Sequence, residues 1–129
     1  ANPEDTTSMA YLAQAYQEAK NWNGAVLTWQ KLTSLLPDWA PAYNSLAYAY
    51  QQSGNTDLAN GSYQKYIDLI TKNPADVEAN KESLSYAYFA IAYANRDSDK
   101  AKAKEYADKA VVLNPNYQDA TNSVKYLNK

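Results

Sequence analysis

The chain has 129 residues, with 12 basic and 14 acidic side chains and a formal net charge of −2. This length suits a domain with a sizeable core, and the balanced charge excludes a strongly basic surface for nucleic acid or anionic membrane. Cysteine and histidine are both absent, which excludes disulfides, thiolate and histidine catalysis, and the usual zinc ligand sets.

The remaining composition gives no sign of a catalytic, cofactor or membrane site. The 14 carboxylates are scattered over turns and polar faces, and the three glycines form no phosphate-binding loop. We therefore expect no enzyme activity, no metal and no cofactor. The longest apolar run, residues 86–94, is far shorter than the roughly 20 residues that span a bilayer, so we expect no membrane insertion.

The compartment stays open at this point. The chain begins at Ala1 without an initiator methionine, which fits a processed secretory protein and an excised fragment equally well. Its richness in Asn, Thr, Ser and Gln favours an exported bacterial protein, periplasmic or at the cell surface, while a cytoplasmic location remains an alternative.

One short pattern occurs three times and predicts the first helix of three helical pairs. Residues 12–16, 46–50 and 89–93 each run large-Ala-x-Ala-Tyr, with another large residue three positions upstream. Such intervals place the large residues on one face of a helix. The alternation within 46–50 is also typical of a strand, but on a helix Tyr48 points away from Leu46 and Tyr50.

A second apolar stripe follows each copy after a short turn and ends near a proline, which stops a helix. These stripes are Ala25, Trp29 and Leu32 before Pro37; Ala59, Tyr63 and Tyr66 before Pro74; and Ala103, Tyr106, Ala107 and Ala110 before Pro115. A last stripe, at Ala120, Val124 and Leu127, predicts a terminal helix. We predict an all-α chain without a sheet, with seven helices at about 6–20, 22–36, 39–53, 56–73, 76–95, 99–113 and 117–128.

The third copy is displaced by an insertion. Met9 and Tyr43 are 34 residues apart, whereas Tyr43 and Tyr86 are 43 apart. The added residues at 76–82 are polar and compatible with a helix. We expect them to lengthen the fifth helix by more than a turn, with the fourth helix lengthened to meet it.

Together these patterns resemble the tetratricopeptide repeat (TPR) family, whose motif runs W-x₂-L-G-x₂-Y, A-x₃-F and P. The first match is Met9, Leu12, Ala13, Tyr16, Ala25, Trp29 and Pro37; the second is Tyr43, Leu46, Ala47, Tyr50, Ala59, Tyr63 and Pro74; the third is Tyr86, Phe89, Ala90, Tyr93, Ala103 and Pro115. In the third copy Ala107 replaces the aromatic residue of the motif, and Tyr106 lies beside it.

The resemblance implies a single TPR domain over 1–129, with repeats at about 6–38, 39–75 and 76–116 and a capping helix at about 117–128. It implies a right-handed superhelical stack of antiparallel helix pairs, a TPR solenoid, whose first helices line a concave groove that holds a peptide. The repeated large residues, Leu12, Leu46 and Phe89 with Tyr16, Tyr50 and Tyr93, are then expected in the core.

The groove is expected to bind a protein or peptide partner without catalysis. Its predicted lining residues are Gln14, Gln17, Asn44, Tyr48, Gln51, Gln52, Tyr88, Ile91 and Asn95, with Tyr48 central. The alternative is a carbohydrate- or small-ligand-binding module of an exported bacterial protein, because Tyr, Trp, Asn and Gln can stack on sugar rings and pair with hydroxyls. The chain itself is expected to be a monomer or to self-associate weakly.

A branch of the family grips a terminal carboxylate with lysine, asparagine and arginine. Here Asn44 is retained, but Ala10, Leu84 and Tyr88 stand where the other cations or amides are sought. The resemblance therefore predicts a neutral peptide segment and not a carboxylate tail.

Two local motifs have competing interpretations. The run 95–99 resembles the start of a calcium loop, but Lys100 and Tyr106 stand where glycine and glutamate are needed, so we interpret Asp99 as a helix N-cap. Asn-Gly at 23–24 and 60–61 is typical of hairpin turns between strands, yet the helical stripes on both sides favour helix glycines.

Overall fold

The structure, a computed structural model, describes residues 5–128, and this part of the chain contains helices and turns but no strand. The prediction of an all-α fold is therefore confirmed. The helices are α1 (Thr6–Glu18), α2 (Trp22–Leu35), α3 (Ala40–Gln52), α4 (Thr56–Ile70), α5 (Pro74–Ala79), α6 (Lys81–Ala94), α7 (Lys100–Leu113) and α8 (Gln118–Leu127).

The chain divides into two compact units at residues 65 and 66, within α4. In the first unit α1 packs against α2, and α2 against α3. In the second unit α6 packs against α7, and α7 against α8. The short turns between these neighbours make each packed pair antiparallel.

Side-chain caps determine where several helices begin. Asp5, Asn21 and Asp99 each accept a hydrogen bond from a backbone N–H in the first turn of α1, α2 and α7, at 3.0–3.1 Å. Such a cap pairs an N–H that has no partner inside the helix. The N-cap role predicted for Asp99 is confirmed.

The turns inside the first two pairs repeat one geometry. Lys20 and Gly54 both have positive φ, 59° and 87°, and each lies two residues after the first helix of its pair. The next residue then donates its N–H to the carbonyl of the repeated tyrosine: Asn21 to Tyr16 at 2.8 Å, and Asn55 to Tyr50 at 2.9 Å. The left-handed residue thus closes the helix end and reverses the chain.

The cores of the helical pairs are built on small side chains. Ala13 and Ala25 are completely buried in the first pair, and Ala47 and Ala59 occupy the corresponding buried places in the second. In the second unit Ala103, Ala107 and Ala110 form the buried stripe of α7. There the Ser85 hydroxyl of α6 donates to the Ala110 carbonyl at 2.7 Å. Small residues let helix axes approach closely, and the larger side chains then fill the space around them.

The insertion does not lengthen the fifth helix, so that prediction is wrong. Residues 74–79 form the separate helix α5. Asn80, with φ −124° and ψ 27°, leaves the helical conformation and ends this helix. Its side-chain amide donates to the Asp76 carbonyl at 2.8 Å, a local bond that competes with continuation of the helix. The fourth helix is not extended either, since α4 ends at Ile70, where residue 73 was expected.

Two residues expected in the core are exposed. Leu12 is 48% exposed, whereas Leu46, at the same place in the next pair, is 6% exposed. Leu46 lies on α3, against which α2 packs, while no described helix precedes α1 to cover Leu12 in that way. Tyr93, near the end of α6, is 53% exposed, and the Arg96 guanidinium lies 3.9 Å from the centroid of its ring.

The two helix glycines predict opposite responses to a methyl group. A Cβ on Gly24 of α2 would lie 2.8–2.9 Å from ring atoms of Tyr16, including Cγ, whereas a Cβ on Gly61 of α4 meets nothing within 4 Å. We expect Gly24→Ala to lower the free energy of unfolding by about 1–2 kcal/mol through this collision. Gly61→Ala is expected to raise it by about 0.5–1 kcal/mol through helix propensity. Urea unfolding of both variants checks this, and a stabilising Gly24→Ala would contradict the packing of Tyr16.

Candidate functional site

The exposed face of α3 carries the centre of the candidate site. Asn44 and Tyr48 are one helical turn apart, and Pro41 lies in the first turn of α3, where proline favours helix entry. Tyr48 is 40% exposed, and the edge of its ring meets Trp22 of α2 at a centroid distance of 5.6 Å and 77°. The contact with Trp22 holds the Tyr48 ring in place while leaving a large part of it open to a ligand.

Gln17 and Gln51 each have a structural role inside a helical pair. The Gln17 side-chain oxygen accepts a hydrogen bond from the Trp29 indole N–H, and the Gln51 oxygen accepts one from the Tyr63 hydroxyl at 3.1 Å. Each pairs the polar atom of a buried aromatic side chain, which would otherwise lose its hydrogen bond with water. These two predicted site residues therefore connect the exposed face to the core.

The third repeat lacks both the donor and the acceptor of this hydrogen bond. Ala94 takes the place of the glutamine, and Ala107 that of the aromatic residue. Loss of the donor removes the need for the acceptor, so the two alanines form one consistent change. The sequence alone shows the alanine at position 107. Its connection with Ala94 follows only from the hydrogen bonds between a glutamine and an aromatic residue in the first two repeats.

Gln14 and Gln52 remain exposed on α1 and α3, and Asn95 has a structural role. The Asn95 amide donates to the Ile91 carbonyl at 2.8 Å and thereby closes the end of α6.

Tyr88 and Ile91 were expected on an open groove but are buried, with exposures of 8% and 2%. The sequence pattern of the first helices predicted that both residues lie on the face of α6 that corresponds to the Tyr48 face of α3. In the second unit Tyr88 instead packs edge-on against Tyr106 of α7, at a centroid distance of 5.4 Å and 83°. As described, neither residue offers the surface that a peptide needs.

Tyr88 instead lines an apolar groove within the second unit. This groove of about 380 Å³ also contains Val77 of α5, Leu84 of α6 and Val112 of α7, and Val112 is 80% exposed. The Lys109 ammonium lies 5.7 Å from the Tyr88 ring centroid. Burial raises the pKa of the Tyr88 hydroxyl, and nearby Tyr106, Asp68 and Glu105 add to the rise.

A further pair of residues at the far end of the chain escaped the sequence prediction. The sequence Asn-Ser-x-x-Tyr occurs at 44–48 and again at 122–126, so Asn122 and Tyr126 on α8 repeat the spacing of Asn44 and Tyr48 on α3. Both are exposed. The sequence prediction treated residues 117–128 only as a capping helix and therefore missed this motif, although the sequence contains both copies of it.

Residues 5–128 contain neither a candidate metal site nor a candidate membrane span. No group of three or more acidic side chains in this range is arranged to hold a metal ion. None of the helices described there combines the length and apolar character needed to cross a membrane.

The antiparallel pairs, the buried alanine stripes and the repeated turns define an all-α helical-repeat protein. Residues 8–38 match the family profile of the tetratricopeptide repeat. No curated protein sequence matches the chain significantly. Solved TPR domains share its fold along nearly the whole chain. The chain therefore has the tetratricopeptide-repeat fold, as the sequence predicted.

Three solved structures illustrate the likeness. The TPR domain of Arabidopsis OM64 has a TM-score of 0.76 and 23% identity, over 98% of this chain and 97% of that one. The N-terminal domain of stress-induced protein-1 (STI-1) from C. elegans has a TM-score of 0.79 and 17% identity, over 100% of both chains. The first TPR of Spaghetti (RPAP3), bound to the HSP90 peptide SRMEEVD, has a TM-score of 0.70 and 16% identity, over 99% of this chain and 94% of that one.

The tyrosine that anchors α8 predicts a loss of stability at alkaline pH. Tyr117 stacks on Tyr86 at 6.3 Å and meets the edge of Phe89 at 5.2 Å. Burial, followed by the influence of Tyr86 and Asp119, raises the pKa of Tyr117 from 10.0 to about 12. Because the folded state holds this proton more tightly, its contribution is fully present below pH 10 and is lost as the pH rises through about 12.

Urea unfolding at stepwise pH tests this effect with Tyr117→Phe, which keeps the ring but cannot ionise. We expect the loss of unfolding free energy above pH 10 to become shallower in the variant. Burial also raises the pKa of Tyr66 and Tyr88, so part of the loss remains. An unchanged alkaline profile would contradict the role given to Tyr117.

Proposed function

We propose that the protein is a non-catalytic interaction scaffold that holds a peptide segment of a partner protein on the exposed faces of its first helices. The observation that carries this proposal is the pair Asn44 and Tyr48 on α3, where a half-exposed ring and an amide lie one turn apart. Gln14 of α1 and Gln52 of α3 extend the polar surface. The TPR fold supports this function, and one solved relative holds an HSP90 peptide.

The chemistry of the α3 face suits the backbone of an extended chain. The Asn44 amide can donate to a peptide carbonyl and accept from a peptide N–H. Tyr48 offers apolar area with few rotatable bonds, and its contact with Trp22 reduces the entropy lost when a ligand orders the ring. Neither group carries a charge, so this face favours a neutral segment.

The second unit supports the proposal that no carboxylate tail is gripped in the manner of the cationic branch of the family. Leu84 and Tyr88, which stand where cations or amides were sought, belong to the apolar groove beside α5 and α7. Leu84 is 1% exposed and carries no donor for a carboxylate. In the first unit Ala10 likewise lacks a polar side chain.

The double variant Asn44→Ala/Tyr48→Ala tests the proposed surface. Truncation of Tyr48 removes its contact with Trp22, so we expect the free energy of unfolding to fall by about 0.5–1.5 kcal/mol. The variant stays folded, and binding to a synthetic array of neutral peptides is expected to weaken about tenfold, or about 1.4 kcal/mol. Leu27→Ala on α2 is the control, because Leu27 is 68% exposed but lies on a second helix. Dissociation constants of the retained peptides, measured by fluorescence anisotropy, give the comparison. Equal binding by the double variant and the Leu27 variant would contradict the assignment to α3.

A further inference from the structure

The second unit contains an aromatic cleft that the sequence prediction did not assign. It lies between the end of α6 and the exposed face of α8 and has a volume of about 400 Å³. Tyr93 and Tyr126 line it and are 53% and 56% exposed, and Asn122 lies one turn before Tyr126. Two large aromatic rings that are open at one cleft provide apolar contact area for a ligand side chain.

The charge of the cleft comes from Arg96. This residue is the only arginine in the chain, and among the described residues it is the only charged one that lines the cleft. Its guanidinium carbon lies 3.9 Å from the centroid of the Tyr93 ring, and its Nη1 donates to the Tyr93 carbonyl at 2.7 Å. Stacking and this hydrogen bond fix the plane of the guanidinium, which leaves less entropy to be lost on binding an anion.

The nearby carboxylate does not satisfy this cation. Asp97 lies 3.8 Å from Arg96 Nε, and its side chain is 76% exposed. Exposed pairs at that distance contribute little, and the guanidinium has five N–H donors in total. An incoming carboxylate can therefore pair with Arg96 in the planar, two-point manner that guanidinium groups favour.

We propose that this cleft binds an acidic peptide segment, in which an Asp or Glu side chain pairs with Arg96 and a neighbouring apolar or aromatic side chain packs on Tyr93 and Tyr126. The Asn122 side-chain oxygen accepts from the Gln118 amide at 2.9 Å, so Asn122 contributes its own N–H donors to the peptide backbone. This inference deepens the proposed function and rests on it for the class of ligand. It assigns to α8 a recognition role in addition to its packing against α6 and α7.

The test uses a synthetic array of peptides that contain an aromatic or aliphatic residue next to Asp or Glu, together with copies carrying Asn or Gln instead. The intact chain is expected to bind the acidic peptides about fivefold to tenfold more tightly than their amide copies at low salt. Arg96→Gln removes this preference. Arg96→Lys retains only part of it, because lysine keeps the charge but loses the planar fork. Lys125→Gln is the matched control on α8 and keeps the preference.

Four outcomes separate this inference from the proposed function. Loss of the acid preference in Arg96→Gln, but not in Lys125→Gln, supports the cleft assignment. Binding without an acid preference, or a preference that survives Arg96→Gln, overturns it and leaves the α3 surface in place. Acidic peptides that depend on Arg96 but not on Asn44 and Tyr48 support the cleft, and the neutral-peptide measurement alone then decides the α3 surface. Retention of no peptide at all contradicts both.

Discussion

The close approach of the two helices of a pair at small residues is the constraint on which the rest of the structure depends. Ala13 lies on the first helix of the first pair and Ala25 on its second helix, and both are completely buried. Ala47 and Ala59 occupy the corresponding buried places in the second pair. A larger side chain at these places would push the helices apart. The distance they set also lets the Gln17 oxygen reach the Trp29 indole, and the Gln51 oxygen the Tyr63 hydroxyl.

The same constraint determines which side chains stay exposed. Once the alanines and buried aromatics face inward, the opposite sides of α3 and α8 carry side chains that packing covers only in part, such as Tyr48 and Tyr126. Tyr117 holds α8 against α6 through Tyr86 and Phe89, which positions Asn122 and Tyr126 in the second unit. The exposed side chains can therefore vary between repeats without disturbing the core.

Periodicity predicted the helices, the repeats and the cap at Asp99, because these depend on residues near one another in sequence. It failed where the outcome depends on neighbours or on a competing local bond. The Asn80 side chain donates a hydrogen bond to the Asp76 carbonyl, and the inserted segment is divided there. Helix propensities do not reveal such a bond. Leu12 carries the same pattern as Leu46 but lacks a covering helix among the described residues, and Ile91 is buried although its pattern matches Tyr48.

Substitution of two alanines on α1 tests the packing constraint most directly. Ala13 is completely buried, whereas Ala15 lies on the exposed side of the same helix. Leucine and alanine have similar helix propensities, so the difference between Ala13→Leu and Ala15→Leu in urea unfolding isolates packing. The account predicts that Ala13→Leu lowers the free energy of unfolding by about 1–3 kcal/mol, while Ala15→Leu changes it by less than about 0.5 kcal/mol. Equal free energies of unfolding for the two variants would contradict it.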